Sequence, residues 1–129
     1  MLKDKIKEIS KTSISMVARN RYDNSVQLTG FIVQKPKVIQ GKINRSCSFI
    51  IHQISNDLQG TNDSSFSLIT YVPEIIEKLI NLDKVCLIHC LGVLAFNRVK
   101  KMQYVHVSMA EISYVLDMEL EPPYGIQSE

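Results

Sequence analysis

The chain has no tryptophan, and its 129 residues include only three cysteines. An odd and small cysteine count argues against a disulfide framework and for a reducing compartment, so a cytoplasmic protein is expected. No apolar run approaches the roughly 18 residues needed to cross a bilayer. The lysine-rich start has no apolar stretch behind it, unlike a secretory signal. No membrane partner is therefore expected. Also missing are a CxxC pair, an HxxxH spacing, a phosphate-cradling glycine loop and a nucleophile elbow. Cys86 and Cys90 are even-spaced along one segment with His89 on the opposite side, which reads as buried structural thiols rather than a metal site. His52 and His106 add no ligand spacing. Asp57 and Asp63 share one connection and read as solvated acids. No catalytic residue, metal or cofactor is expected, and the chain is not read as an enzyme.

Hydrophobic residues make up 45% and charged residues 22%, which is the balance of a globular chain rather than a disordered one. The length suits one domain with a real core but not two. There are no internal repeats and no low-complexity tracts.

The net charge of +2 conceals a segregation along the chain. Residues 1–21 carry Lys3, Lys5, Lys7, Lys11, Arg19 and Arg21 against two acids. Residues 34–46 carry Lys35, Lys37, Lys42 and Arg45 with no acid, and residues 97–103 carry Arg98, Lys100 and Lys101 with no acid. Residues 104–129 carry Glu111, Asp117, Glu119, Glu121 and Glu129 with no Lys or Arg. Placement of charge, rather than its sum, is the signal.

Strict alternation marks half-buried strands. In the first strand, about 25–34, Val26, Leu28 and Ile32 alternate with Gln27, Thr29 and Phe31. Gly30 interrupts it, as at a bulge or barrel corner. Phe31 and Val33 read as an outward apolar pair, an edge for symmetric pairing. Pro36 ends the strand, and Lys35 to Asn44 reads as a loop with Gly41 at its tip. The second strand, about 46–54, sets Cys47, Phe49 and Ile51 against Ser48, Ile50 and His52. The polar stretch Ser55 to Ser65 reads as a long connection around Gly60. A third strand follows at about 66–72. Pro73 then opens a helix at 73–81, since its fixed φ and missing N–H suit a first turn. Ile75, Ile76, Leu79 and Ile80 give that helix an apolar face. The fourth and fifth strands fall at about 84–96 and 104–116. Before them all, residues 1–11 place Leu2, Ile6 and Ile9 at helical spacing, and residues 13–19 alternate as an extra strand. Domain boundaries follow: an extension at 1–23, a barrel domain at 24–116 and a mobile tail at 117–129.

Five strands with one helix between the third and fourth predict a mainly β protein, a five-stranded antiparallel OB barrel, whose second and third strands form a groove flanked by the first-to-second and fourth-to-fifth loops. Those two loops are the purely cationic ones. Lys and Arg there would pair with phosphates and release counterions on binding. Lys35, Lys37, Lys42, Arg45, Arg98, Lys100 and Lys101 are thus candidate DNA contacts. Every base has a face to stack on, so aromatic platforms are the second requirement. Phe66, Tyr71, Phe96 and Tyr104 are the candidate stackers, Phe96 and Tyr104 foremost because they border the 97–103 turn. Phe31 is a weaker candidate, and Phe49 reads as core.

From Asn24 to about Leu116 the chain resembles the bacterial single-stranded DNA-binding protein family and its relative, the primosomal replication protein N family. The matching residues are Asn24-Ser-Val26-Gln-Leu28-Thr-Gly30, Pro36, Ser48-Phe49-Ile50-Ile51 and the helix after Tyr71. Leu82-Asp83-Lys84-Val85, Tyr104 to Val107 and Glu111-Ile112 complete them. The resemblance implies sequence-tolerant binding of single-stranded DNA in replication, repair, recombination or plasmid transfer, as a homo-dimer or homo-tetramer. An alternative from another class is an OB-fold adaptor whose main partner is a replication protein such as a polymerase, helicase or primase; the apolar fourth strand and the absent Trp favour it, the two cationic loops the binder. Members of the family it resembles usually carry Trp at stacking positions and basic residues in the fourth strand. Here the equivalents of those Trp are Phe or aliphatic, and the strand reads Val93-Leu94-Ala95. The acidic, Phe-ended C-terminal tip is also missing. These departures point to a divergent protein of a mobile element or a specialised accessory role.

Overall fold

The computed structural model describes residues 2–10, 24–58 and 60–123. The expected strand at 13–19 lies outside them. Two helices, α1 (Leu2–Ser10) and α2 (Pro73–Ile80), accompany six strands: β1 (Val26–Ile32), β2 (Lys37–Gln40), β3 (Arg45–Asp57), β4 (Gly60–Thr70), β5 (Lys84–Asn97) and β6 (Met102–Glu119). Five of the strands close a barrel in the order β1-β5-β6-β4-β3, with Phe31 opposite His52 joining β3 back to β1. β2 is appended to the free side of β3.

The barrel is mixed rather than antiparallel: Leu68, Ile69 and Thr70 of β4 run parallel to Val105, His106 and Val107 of β6. The crossover through α2 causes this. It delivers β5 beside β1, so β6, folding back against β5, returns between β5 and β4 in the direction of β4. A pattern of alternating residues carries no information on that direction.

Two expected loops are strands. Lys37 to Gln40 pair with Ser48 to Arg45 as a hairpin, whose turn is closed by the Gly41 N–H donating to the Asn44 carbonyl at 2.8 Å. The polar stretch Ser55 to Ser65, expected as a connection, continues the β3–β4 ladder to Asp57 opposite Gly60. Backbone hydrogen bonds sustain a ladder without apolar side chains, so a hairpin polar on both faces escapes a hydrophobicity pattern. Gly60 turns it at φ 126°, a conformation that disfavours any side chain.

The core follows the alternation: Ile32, Cys47, Phe49, Ile51, Leu68, Cys86, Ile88, Cys90, Val105 and Val107 are all buried. α2 adds Ile75, Ile76 and Leu79 to the same cluster, while Ile80, expected with them, is 43% exposed. Pro73 stands in the first turn, and Thr70 binds the chain there, donating to the Val107 carbonyl at 3.0 Å and accepting from the Val72 N–H. Phe31 and Val33, expected to point outward as an apolar pair, are instead half-buried against the core, because β1 is clasped between β5 and β3 at that point. Gly30 is required by this closure: a Cβ there would collide with the Ile51 side chain and lie 2.7 Å from the His52 carbonyl oxygen.

The expected tail at 117–129 begins inside a strand, and its residues 124–129 lie outside the described ones. β6 runs to Glu119, Leu120 is buried, and Glu121 pairs in parallel with Gln34. Among the described residues no helix is long and apolar enough to cross a membrane.

Candidate nucleic-acid interface

Alternation that sends Cys47, Phe49 and Ile51 inward turns Ser48 and Ile50 of β3 outward. Their partners on β4, Ile69 and Ser67, do the same. Ser48 faces Ile69 and Ile50 faces Ser67, so the outer sheet carries a chequered floor of hydroxyl and aliphatic groups. Above it opens a cleft of about 420 Å³. One wall is the exit of β1 and the start of β2, with Gln34, Lys35, Lys37 and Ile39. The other is the β5–β6 hairpin, with Asn97, Lys100, Met102 and Tyr104, and Tyr71 stands at the end of β4.

Local devices hold the second wall. The backbone N–H groups of Val99 and Lys100 both donate to Asn97 Oδ1 at 3.0 Å. Lys101 takes φ 54°, the left-handed conformation that lets the turn close. Tyr71 is 45% exposed, and its ring meets His106 edge-on with centroids 5.2 Å apart. The contact steadies the Tyr71 ring while nearly half of the residue stays exposed. Among the described residues no acid lines the cleft. Of the carboxylates nearby, Glu119 is held below the usual range chiefly by its hydrogen bond from Lys84, with a smaller pull from Lys35.

Of the residues singled out in the sequence, the fold brings Lys35, Lys37, Lys100, Tyr71 and Tyr104 together around this cleft. Arg98 and Lys101 sit exposed on the same turn as Lys100, outside the lining, and Lys42 is exposed in the β2–β3 turn. Arg45 donates to Glu77 of α2 at 3.0 Å, away from the cleft. Phe66 is half-buried against the core, and Phe96, 55% exposed, does not line the cleft. Gln34, Ile39, Ser48, Ile50, Ser67, Ile69, Asn97 and Met102 were not foreseen as lining. The floor was accessible in principle, as the outward partners of the inward Cys47-Phe49-Ile51 set.

The three thiols are core groups. Burial pushes Cys47 up to about 11, against a weaker opposing pull from Arg45. It raises Cys86 to about 11 and Cys90 to about 12, the latter helped by Cys86.

No family model matches the sequence, and no curated protein matches it. Solved structures do. The mitochondrial single-stranded DNA binding protein Rim1 of S. cerevisiae superposes with a TM-score of 0.62 at 13% identity, covering 74% of this chain and 100% of that one. A Plasmodium falciparum single-stranded DNA-binding protein, solved in complex with single-stranded DNA, gives 0.59 at 13% identity, with 74% and 96% covered. The N-terminal domain of PriB from Thermoanaerobacter tencongensis, solved as a dimer, gives 0.57 at 15% identity, with 71% and 98% covered. The chain therefore has the OB fold of the single-stranded DNA-binding and PriB proteins.

Proposed function

We propose that this protein is a non-enzymatic binder of single-stranded DNA, acting in the cytoplasm in replication, recombination or mobile-element transfer. The observation that carries the reading is the cleft itself. It lies on the outer face of β3 and β4, between the β2 hairpin and the β5–β6 turn, where OB folds bind oligonucleotides. It combines Lys35, Lys37 and Lys100 for phosphates with Tyr71 and Tyr104 for bases, and none of its lining residues is an acid. Stacking on a tyrosine suits every base, so binding is largely sequence-tolerant. Titration of fluorescent oligo-dT at two salt concentrations, with duplex DNA as competitor, tests it. Tight, salt-dependent binding that resists duplex competition is expected. Equal affinity for duplex, or no binding at low salt, would reject it.

Ile39, Ile50, Ile69 and Met102 in the same cleft favour a second reading, an adaptor that holds a replication protein there and touches DNA weakly. Protein binding without salt-dependent DNA retention would select it. The binder is further proposed to work as a dimer or tetramer, since joining two short clefts raises affinity through effective concentration. The solved PriB domain, which shares the fold, is itself a dimer. Light scattering at micromolar concentration decides this, a mass near 14.7 kDa counting against it.

A further inference from the structure

The described side chains of α1 add nothing to the core, and its apolar side is bare: Leu2 is 74% exposed and Ile6 57%. With 3.6 residues per turn these two share one face, Lys3 and Lys5 flank it on its two sides, and Asp4 and Glu8 fall opposite. A helix of nine residues is too short to persist in water on its own hydrogen bonds, so its apolar face calls for a surface to rest on. The flanking lysines specify that surface as apolar with a negative rim. The last part of β6 has this character. Tyr114, Val115 and Met118 are each more than half exposed, and Glu111, Asp117 and Glu119 are exposed among them. Residues 104–121 hold no Lys or Arg. Asp117 and Glu119 share one cation, Lys84, at 3.3 and 2.6 Å, so that group keeps a net negative charge.

We propose that α1 of one copy seats Leu2 and Ile6 on Tyr114, Val115 and Met118 of a second copy, with Lys3 and Lys5 toward the acids among them. This inference rests on the reading of the protein as a dimer and names the contact that holds it. Within one chain both surfaces are bare, and a reciprocal exchange of α1 covers each of them in both copies. Residues 11–23 join α1 to the barrel and can span up to about 45 Å when extended, enough to reach a neighbouring barrel. None of the contact residues lines the cleft, so two copies joined in this way keep both clefts open.

Light scattering at micromolar concentration compares the full chain with Ile6→Asp and with a chain lacking residues 1–10. A mass near twice 14.7 kDa is expected for the full chain, falling to near 14.7 kDa in both variants. Lys3→Glu with Lys5→Glu should weaken the dimer about tenfold, the worth of four surface ion pairs, two in each α1 contact. Cross-linking locates the contact. Ile6→Cys and Met118→Cys, mixed under mild oxidation at pH 8, should form a disulfide between the two variants, while each alone stays unlinked. The three native thiols are buried and do not compete. A dimer that survives loss of α1, or that fails to cross-link at these two positions, would overturn the inference and leave the dimer reading standing. So would a chain carrying both cysteines that closes on itself rather than on a second copy. A full chain of mass near 14.7 kDa would overturn the dimer reading and the inference with it. If that monomer is retained on phosphatidylserine vesicles only when α1 is present, the partner of α1 is an anionic lipid surface instead.

Discussion

The side-chain amide of Asn24 grips both backbone groups of Leu94: the Leu94 N–H donates to Asn24 Oδ1 at 2.8 Å, and Asn24 Nδ2 donates to the Leu94 carbonyl at 3.1 Å. The β1–β5 ladder ends at Val26 opposite Gly92. Asn24 thus extends the pairing by one further rung, made by a side chain in place of a strand. Asn24→Ala is expected to lose about 1 kcal/mol of stability, the usual net value of such hydrogen bonds. Asn24→Asp keeps the acceptor for the Leu94 N–H and should lose less. Urea denaturation of the three proteins measures the order.

Gly30 and Gly92 both lie where an added Cβ would run into the backbone of a neighbouring strand. A Cβ on Gly92 would lie on the His106 carbonyl of β6, beside the bulge between Leu91 and Gly92. Gly30 faces the Ile51 side chain and the His52 carbonyl. Rigid backbone cannot yield as a flexible side-chain end does. Gly92→Ala is therefore expected to destabilise by about 1–3 kcal/mol, the usual range for overpacking, and Gly30→Ala by a comparable amount. Thermal melts of the two variants check this, and unchanged midpoints would contradict closure of the barrel at these two glycines.

For the cleft, changing Lys35, Lys37 and Lys100 together to Ala should weaken single-strand binding and flatten its salt slope by about 2, at roughly 0.7 for each phosphate left without its cation. Changing Arg98 and Lys101, on the same turn but outside the lining, should flatten it less. Affinities measured across a salt series separate the two sets. An unchanged slope in the triple variant would place the DNA elsewhere.

Stacking divides the aromatics in the same way. Tyr71→Ala and Tyr104→Ala are each expected to weaken binding by about 1–3 kcal/mol, the usual worth of one stacked base. Phe96→Ala, which removes an exposed ring outside the cleft, should leave affinity nearly unchanged. Oligo-dT titration of the three variants makes the comparison.

The buried thiols predict alkaline behaviour. Their pKa values in the folded chain, raised to about 11 and about 12, exceed the ordinary value of 9.0. Between pH 9 and those values the unfolded chain has lost protons that the folded chain retains, so stability falls as pH rises through that range and is unaffected by these groups below it. Urea midpoints from pH 7 to pH 11 should decline more steeply in the wild type than in Cys90→Val. A thiol reagent at pH 8 should modify the native protein slowly and the urea-unfolded protein at once.

The strand positions were legible because alternation is local. The inward set of Cys47, Phe49 and Ile51 and the outward set of Ser48 and Ile50 follow from pleat geometry alone. Pro73 and the apolar spacing behind it announced α2 equally well. The cationic character of Lys35, Lys37 and Lys100 was legible for the same reason, since charge is a property of the residue. What could not be read locally depends on pairings between distant segments. The parallel run of β4 beside β6 arises from where α2 delivers the chain. The engagement of Arg45 with Glu77 rather than solvent spans 32 residues. Burial of Phe31 and Val33 depends on β3 closing onto β1, and the seating of Gln34 depends on Glu121, just past the end of β6. Residue chemistry and two-residue periodicity therefore specify the strands and their inward and outward faces. The direction of pairing, and which of the cations and aromatics line the cleft, depend on which strands lie side by side, because long-range contacts fix neighbours that no local pattern encodes.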